Sequence, residues 1–224
     1  MLGRLVRRTA PLLVAVSAGS RAWCAAAKDD HYAHATNDLE ILQILMRHTK
    51  LPVAPGLAAS IVAHHSGDDA AVRALVDTAI ARGADADSAL LAAYRTGNQA
   101  MLSHLLKGRT AVPPDSIRSI VDGLHTRRRL RSAAESTGPL FARIREAAAL
   151  GADPSAVNWR GVDPAIIDAI AMRDAELVGL LLELGADPAG VDFCERSALW
   201  HAIDKKHPEI VRLLIEAAAK HATA

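Results

Sequence analysis

Only seven of the 224 residues are aromatic: three Trp, two Tyr and two Phe. Any core must therefore be assembled from the Ala, Leu, Ile and Val that make up most of the hydrophobic half of the chain. β-Branched residues stand singly or in pairs among Ala and Leu and not in alternating runs, which removes the signature of a strand. Alanine, the strongest helix former, is abundant throughout. These features predict an all-α chain. Cysteine is almost absent as well. Cys24 and Cys194 lie far apart with no CxxC pair, so they form neither a disulfide framework nor a zinc site. Cys194 is expected as a buried thiol, because free cysteine behaves as a small hydrophobe. No run approaches the roughly 20 apolar residues that a membrane-spanning helix needs.

Acidic residues are missing from the first 28 positions, where Arg4, Arg7, Arg8, Arg21 and Lys28 stand. On a helical wheel Leu2, Leu5, Val6 and Thr9 share one face, and Arg4, Arg7 and Arg8 the opposite one. An amphipathic, Arg-rich, acid-free start is the pattern of a mitochondrial presequence, with Arg21 placed for a matrix protease. The competing readings are an uncleaved structural tail and a secretory signal built from Met1–Arg8, Pro11–Ala18 and Ala25–Ala27; Arg21 interrupts the approach to that cleavage site. Residues 1–27 are read as the presequence, which places the mature protein in the mitochondrial matrix or on the matrix face of the inner membrane. The whole chain has 26 basic and 25 acidic residues; a cut after Ala22 removes four Arg and no acid, leaving 22 against 25. A mildly acidic body does not support generic nucleic-acid binding, although a local basic patch remains open.

A repeat organises the rest. Gly-Ala-Asp occurs at Gly83–Asp85, Gly151–Asp153 and Gly185–Asp187, at intervals of 68 and 34. Before each copy runs a helical stretch (Ala71–Val76, Leu140–Ile144 and Leu177–Leu182). Met101–Leu106 fills the gap in the middle and Ile210–Ile215 closes the series. A period of about 33 residues with two helices per unit marks a stacked helical array. Glycine supplies the left-handed residue that ends a helix, Asp folds back on the loop backbone, and Pro154 and Pro188 forbid continuation. Turn signals stand between the two helices of a unit at Ser66–Asp68, Thr96–Asn98, Arg173–Asp174 and Lys206–Pro208.

Two units carry a family likeness. Asp192, then Ser197-Ala198-Leu199-Trp200-His201-Ala202, then Ile210-Val211 with Leu213-Leu214, resemble an ankyrin repeat, with Ser197–Ala202 in place of Thr-Pro-Leu-His-x-Ala. The preceding unit ends in the family's Leu-Leu-x-x-Gly-Ala-Asp at Leu181–Asp187, and Asp163-Pro164-Ala165-Ile166 approximates its start. The resemblance covers roughly residues 57–219. It implies an ankyrin-type helical repeat solenoid of about four to five helix-turn-helix units that binds other macromolecules. No unit keeps Thr-Pro-Leu-His intact, Trp200 replaces the usual His, and helix spacings drift between 30 and 39. Residues 28–56 form an N-terminal helical extension. Its Asn37–Lys50 helix has Asn37 as N-cap and an apolar stripe at Ile41, Ile44, Leu45 and His48. Residues 220–224 are a tail.

The unit at 115–150 is irregular. Ile117, Ile120, Val121 and Leu124 place a first helix at Ser116–Leu124. His125-Thr126-Arg127-Arg128-Arg129-Leu130-Arg131 follows, then a Ser/Thr/Gly/Pro loop to Pro139. Arg127, Arg128, Arg129 and Arg131 form either a docking patch for an acidic protein partner, anionic lipid or RNA phosphate, or a solvated helix end whose charges suit the dipole. Trp159 and Arg160 sit on a hairpin finger, where they contact a partner or pack on the neighbouring finger; Phe193 and Arg196 sit on the next. Trp200 is expected half in the core, and Tyr94 and Phe141 in packing. The histidines offer no metal spacing, and no Gly-rich phosphate loop follows a strand. The chain thus reads as a non-enzyme with no catalytic residue, cofactor or small-molecule substrate. Protein partners within a larger complex are expected: an accessory subunit of a respiratory complex or ATP synthase, an RNA-linked component of the mitochondrial ribosome or RNA processing, or a free adaptor.

Overall fold

The computed structural model describes residues 39–48, 53–65, 69–129, 137–157 and 163–222. Among them are helices α1 (Leu39–His48), α2 (Leu57–His64), α3 (Ala70–Ala81), α4 (Ala86–Thr96), α5 (Gln99–Leu105) and α6 (Ser116–Arg129). They are followed by α7 (Thr137–Ala149), α8 (Ala165–Ala171), α9 (Ala175–Glu183), α10 (Ala198–Asp204) and α11 (Pro208–Ala222). The described residues hold no strand, only two isolated antiparallel bridges, Val157 with Pro164 and Val191 with Ser197. The chain is all-α. The presequence, Asn37 and the turn at Ser66–Asp68 lie outside the described residues, as do the side chains of Ile41, Ile44, Leu45 and His48.

The chain divides into two compact units, residues 1–92 and 93–224, and the division falls inside α4. In the first unit α3 packs against α1 and α2. Val72, Leu75, Val76 and Ala79 recur at helical spacing and are buried, so α3 turns one apolar stripe inward. The Asp69 carboxylate caps the helix by accepting from the Ala71 N–H at 2.8 Å. Leu42 and Met46 of α1 join this core with Leu57, Ala58, Ile61 and Val62 of α2.

In the second unit the first helices of successive repeats stack on one another, α6 on α8 and α8 on α10. The second helices α9 and α11 do the same. The last three helices each bury one side: Leu177, Val178, Leu180 and Leu181 in α9, Ala198 and Ala202 in α10, Ile210 and Leu214 in α11. A repeat has no core of its own and becomes stable by stacking.

The three Gly-Ala-Asp copies adopt one geometry. Gly83, Gly151 and Gly185 have φ of 101°, 94° and 94°, which a Cβ-bearing residue resists. The N–H of each following Ala donates back into the helix: Ala84 to Ala79, Ala152 to Ala147 and Ala186 to Leu181, at 2.9–3.0 Å. Those alanines are buried, so the motif needs a small side chain there. The carboxylates of Asp85, Asp153 and Asp187 then accept from the N–H groups of Asp87, Ser155 and Ala189, two residues on. The backbone N–H groups of Asp85 and Asp153 reach the preceding repeat, donating to the Pro55 and Pro114 carbonyls at 2.9 and 2.8 Å.

The turn between first and second helices is equally regular. Gly97, Arg173 and Lys206 occupy its left-handed position with φ of 73°, 59° and 53°. Asn98 and Asp174 follow as N-caps, accepting from Met101 and Leu177 N–H at 3.0 Å.

Three boundaries differ from the sequence-based expectation. α6 runs on through Arg129, so the start of the arginine run is helix, not the segment after it; Arg is a good helix former and extends the helix without cost. α7 begins at Thr137, because a proline in the first turn forfeits no helical hydrogen bond. α11 continues to Ala222, through most of the expected tail.

Candidate protein-interaction surface

The last finger, between the bridge residues Val191 and Ser197, is built around one carboxylate. Asp192 is 5% exposed and accepts from Cys194 N–H, Arg196 N–H and Arg196 Nε at 2.8, 2.9 and 2.8 Å. The Arg196 Nη2 lies 2.7 Å away, and His201 Nε2 of α10 pairs with the same oxygen at 3.0 Å. The finger is thereby pinned to its helix by His201, one residue past the family position that Trp200 fills. Burial pushes the Asp192 carboxyl up, but the hydrogen bonds from Arg196, Cys194 and His201 outweigh it and hold the group well below the usual carboxylate range. Folding thus keeps Asp192 ionised where the unfolded chain takes up a proton, and stability falls as pH drops below about 5 toward the low folded-state value. Asp192→Asn is expected to flatten the acid limb of the stability–pH curve; chemical denaturation at pH 7, 5 and 3 checks this, and an unchanged limb refutes it.

With Asp192 satisfied from inside, the finger's apolar side chains face outward. Phe193 is 69% exposed, and Val191, on the other side of Asp192 in sequence, is exposed too. On α10, Trp200 and Ile203 are exposed at 44% and 59%, one helical turn apart and opposite buried Ala198 and Ala202. The Arg196 guanidinium lies 4.8 Å from the Trp200 ring centroid and covers its face. Val157 of the preceding finger is exposed too. The Phe193 N–H donates to the Asp163 carboxylate at 3.3 Å, joining the two fingers. Large exposed apolar side chains rimmed by charge are the composition of a docking surface.

Two sequence-based expectations change here. Cys194 is exposed, a free thiol at the tip of the finger, because Asp192 draws the loop backbone inward and leaves the side chains at 193–195 outside. Trp200 lies on the outer side of α10 beside Arg196, since the buried side of that short helix is taken by alanine. The two-alanine spacing at 198 and 202 is the signal that places Trp200 and Ile203 outside.

The arginine run is partly engaged within the chain. Arg127 Nη1 donates to the Arg95 carbonyl at the end of α4, at 2.6 Å, and Arg128 Nη2 pairs with Asp174 at 2.8 Å. The Arg129 side chain, Arg131, Trp159 and Arg160 lie outside the described residues. Beneath the run, Arg118 of α6 is 5% exposed and pairs with Asp168 of α8 at 2.5 Å, with His125 Nδ1 on the other carboxylate oxygen at 3.1 Å. Among the described residues no group of three or more His, Cys, Asp or Glu is placed to hold a metal, and no helix is long and apolar enough to cross a membrane.

No protein-family model and no curated protein sequence matches the chain. A solved structure does: the crystal structure of an ankyrin repeat domain from Acinetobacter baumannii AYE superposes with a TM-score of 0.53. It is 17% identical in sequence, and the match covers 84% of this chain and 98% of that one. Repeat period, turn geometry and this likeness agree: the chain has the ankyrin-repeat fold.

Proposed function

We propose that the protein is a non-catalytic protein-interaction module that docks a partner on its last finger and the adjoining helix α10. The observation that carries the reading is the group formed by exposed Phe193, Trp200 and Ile203 with half-buried Arg196 over the Trp200 ring. It holds two of the chain's seven aromatic residues, and they stand in solvent where a core this poor in aromatics has most use for them. Trp and Arg are the side chains that dominate interface energies when desolvated by a partner. The acid-free, Arg-rich N-terminus supports a mitochondrial setting, with the module serving as an accessory subunit of a large assembly such as a respiratory complex or ATP synthase. An RNA-linked role through the arginine run has less support, because Arg127 and Arg128 already bind the Arg95 carbonyl and Asp174.

The test is native purification of the tagged full-length protein from mitochondria, with mass spectrometry of its companions and of its N-terminus. A mature start near residues 22–25 and stoichiometric companions are expected. In a Phe193→Glu/Trp200→Glu variant those companions should fall at least tenfold while the helical circular dichroism stays unchanged. Companions retained by the variant overturn the surface; a start at Met1 overturns the mitochondrial setting.

A further inference from the structure

The last two repeats match position by position. Helices α8 and α10 start at Ala165 and Ala198, and α9 and α11 at Ala175 and Pro208, so both pairs stand 33 residues apart. Ala165, Ala169, Leu177 and Leu181 are buried, and so are their equivalents Ala198, Ala202, Ile210 and Leu214. One face breaks the match. Ile167, Ile170 and Val178 are buried, whereas their equivalents Trp200 and Ile203 are exposed and Val211 is half-buried. Ile215, one turn after Val211, is exposed where its equivalent Leu182 is half-buried. The inner neighbours are alike, since α8 packs on α6 and α9, and α10 packs on α8 and α11. What α8 and α9 have in addition is the repeat stacked after them, α8 beneath α10 and α9 beneath α11. Trp200, Ile203, Val211 and Ile215 therefore form a stacking face, in register with the interface that already joins these two repeats. A repeat that ends an array in solvent needs a polar outer face, and this one is apolar.

We propose that this face binds a pair of antiparallel helices of a partner protein, stacked in register as a further repeat, with small side chains four residues apart on the helix that meets Trp200 and Ile203. The helix stacked on α8, which carries Ile167 and Ile170, is α10, and its buried residues are Ala198 and Ala202, four apart. Bulky side chains on one helix call for small ones on the next, because the packed density leaves no room for both to be large. A second copy of this chain fits less well: its α10 alanines are already buried, and it would set another Trp200 and Ile203 against the first pair. The inference rests on the docking reading above and narrows it to the fold of the partner and to α11 as well as α10.

Two experiments test it. In the first the probe is the chain's own repeat, duplicated in register by following residues 1–216 with residues 184–224. Hydrogen exchange of the original α10 and α11 should slow about tenfold or more relative to the parent, and Ile203→Asp in the original copy should abolish the gain. Unchanged exchange overturns the stacking face. The second repeats the native purification with Ile215→Asp, which lies on α11 away from the finger. Companions should fall about tenfold or more with unchanged circular dichroism, and a photo-cross-linker at position 203 or 215 should label two neighbouring helices of one companion. If Phe193→Glu/Trp200→Glu loses the companions and Ile215→Asp keeps them, the docking reading stands and the stacked helix pair falls. If both variants keep them, both fall. A dimer of the purified chain in sedimentation equilibrium, dissociated by Ile203→Asp, makes a second copy the occupant and overturns the partner helix pair.

Discussion

Replacing Gly123 by alanine should destabilise the protein by about 3 kcal/mol, although alanine is the better helix former by roughly 0.5–1 kcal/mol. A Cβ built on Gly123 lies 2.0 Å from the Arg95 carbonyl oxygen, 2.7 Å from its carbon and 2.9 Å from its Cα. Backbone cannot rotate away from such a contact, so α6 or the end of α4 must shift. The same junction carries the hydrogen bond from Arg127 Nη1 to the Arg95 carbonyl, one helical turn after Gly123, and the ion pair of Arg95 Nε with Asp122 at 3.2 Å. A shift there strains both the hydrogen bond and the ion pair. Gly179, in the middle of α9, supplies the control: a Cβ added there meets nothing within 4 Å. Gly179→Ala should therefore stabilise by about 0.5–1 kcal/mol. Urea denaturation of the two variants should give midpoints on opposite sides of the parent. Equal signs would show that the approach of α4 to α6 is looser than described.

Removal of the Asp168 carboxylate should be at least as costly. Asp168→Ala leaves the Arg118 guanidinium buried without its counter-charge, a loss of about 3–5 kcal/mol. Arg118 has little else to fall back on: it is 5% exposed and its Nε has no acceptor among the described residues. The pair also ties α6 to α8 across 50 positions of sequence. Asp168→Asn keeps an acceptor and should lose less. Arg118→Met/Asp168→Leu should recover most of the stability, because two packed apolar side chains need no solvation. The check is equilibrium unfolding by circular dichroism with unchanged slope. If Asp168→Ala costs under about 1 kcal/mol, Arg118 is solvated and the pair is not structural.

The sequence by itself determined the helical class, the repeat period and the turn chemistry. These depend on local rules: glycine at a left-handed helix end, Asp and Asn as caps, proline as a stop, and apolar spacing at Val72–Ala79 or Ile117–Leu124. Gly97 follows the same glycine rule, whereas Arg173 and Lys206 hold the equivalent left-handed position while carrying a Cβ. Tertiary structure decided the rest. Trp200 and Cys194 belong outside because neighbouring alanines and the Asp192 carboxylate claimed the inside, which no property of tryptophan or cysteine announces. The arginine run reads as a single patch along the chain. In three dimensions Arg127 caps a helix end 32 residues away, Arg128 pairs with Asp174, and Arg118, outside the run, is the buried one. Whether a charge is a docking group or a structural one depends on which carbonyl or carboxylate the stacking of repeats brings beside it, and the spacing of residues within one helix carries no record of that.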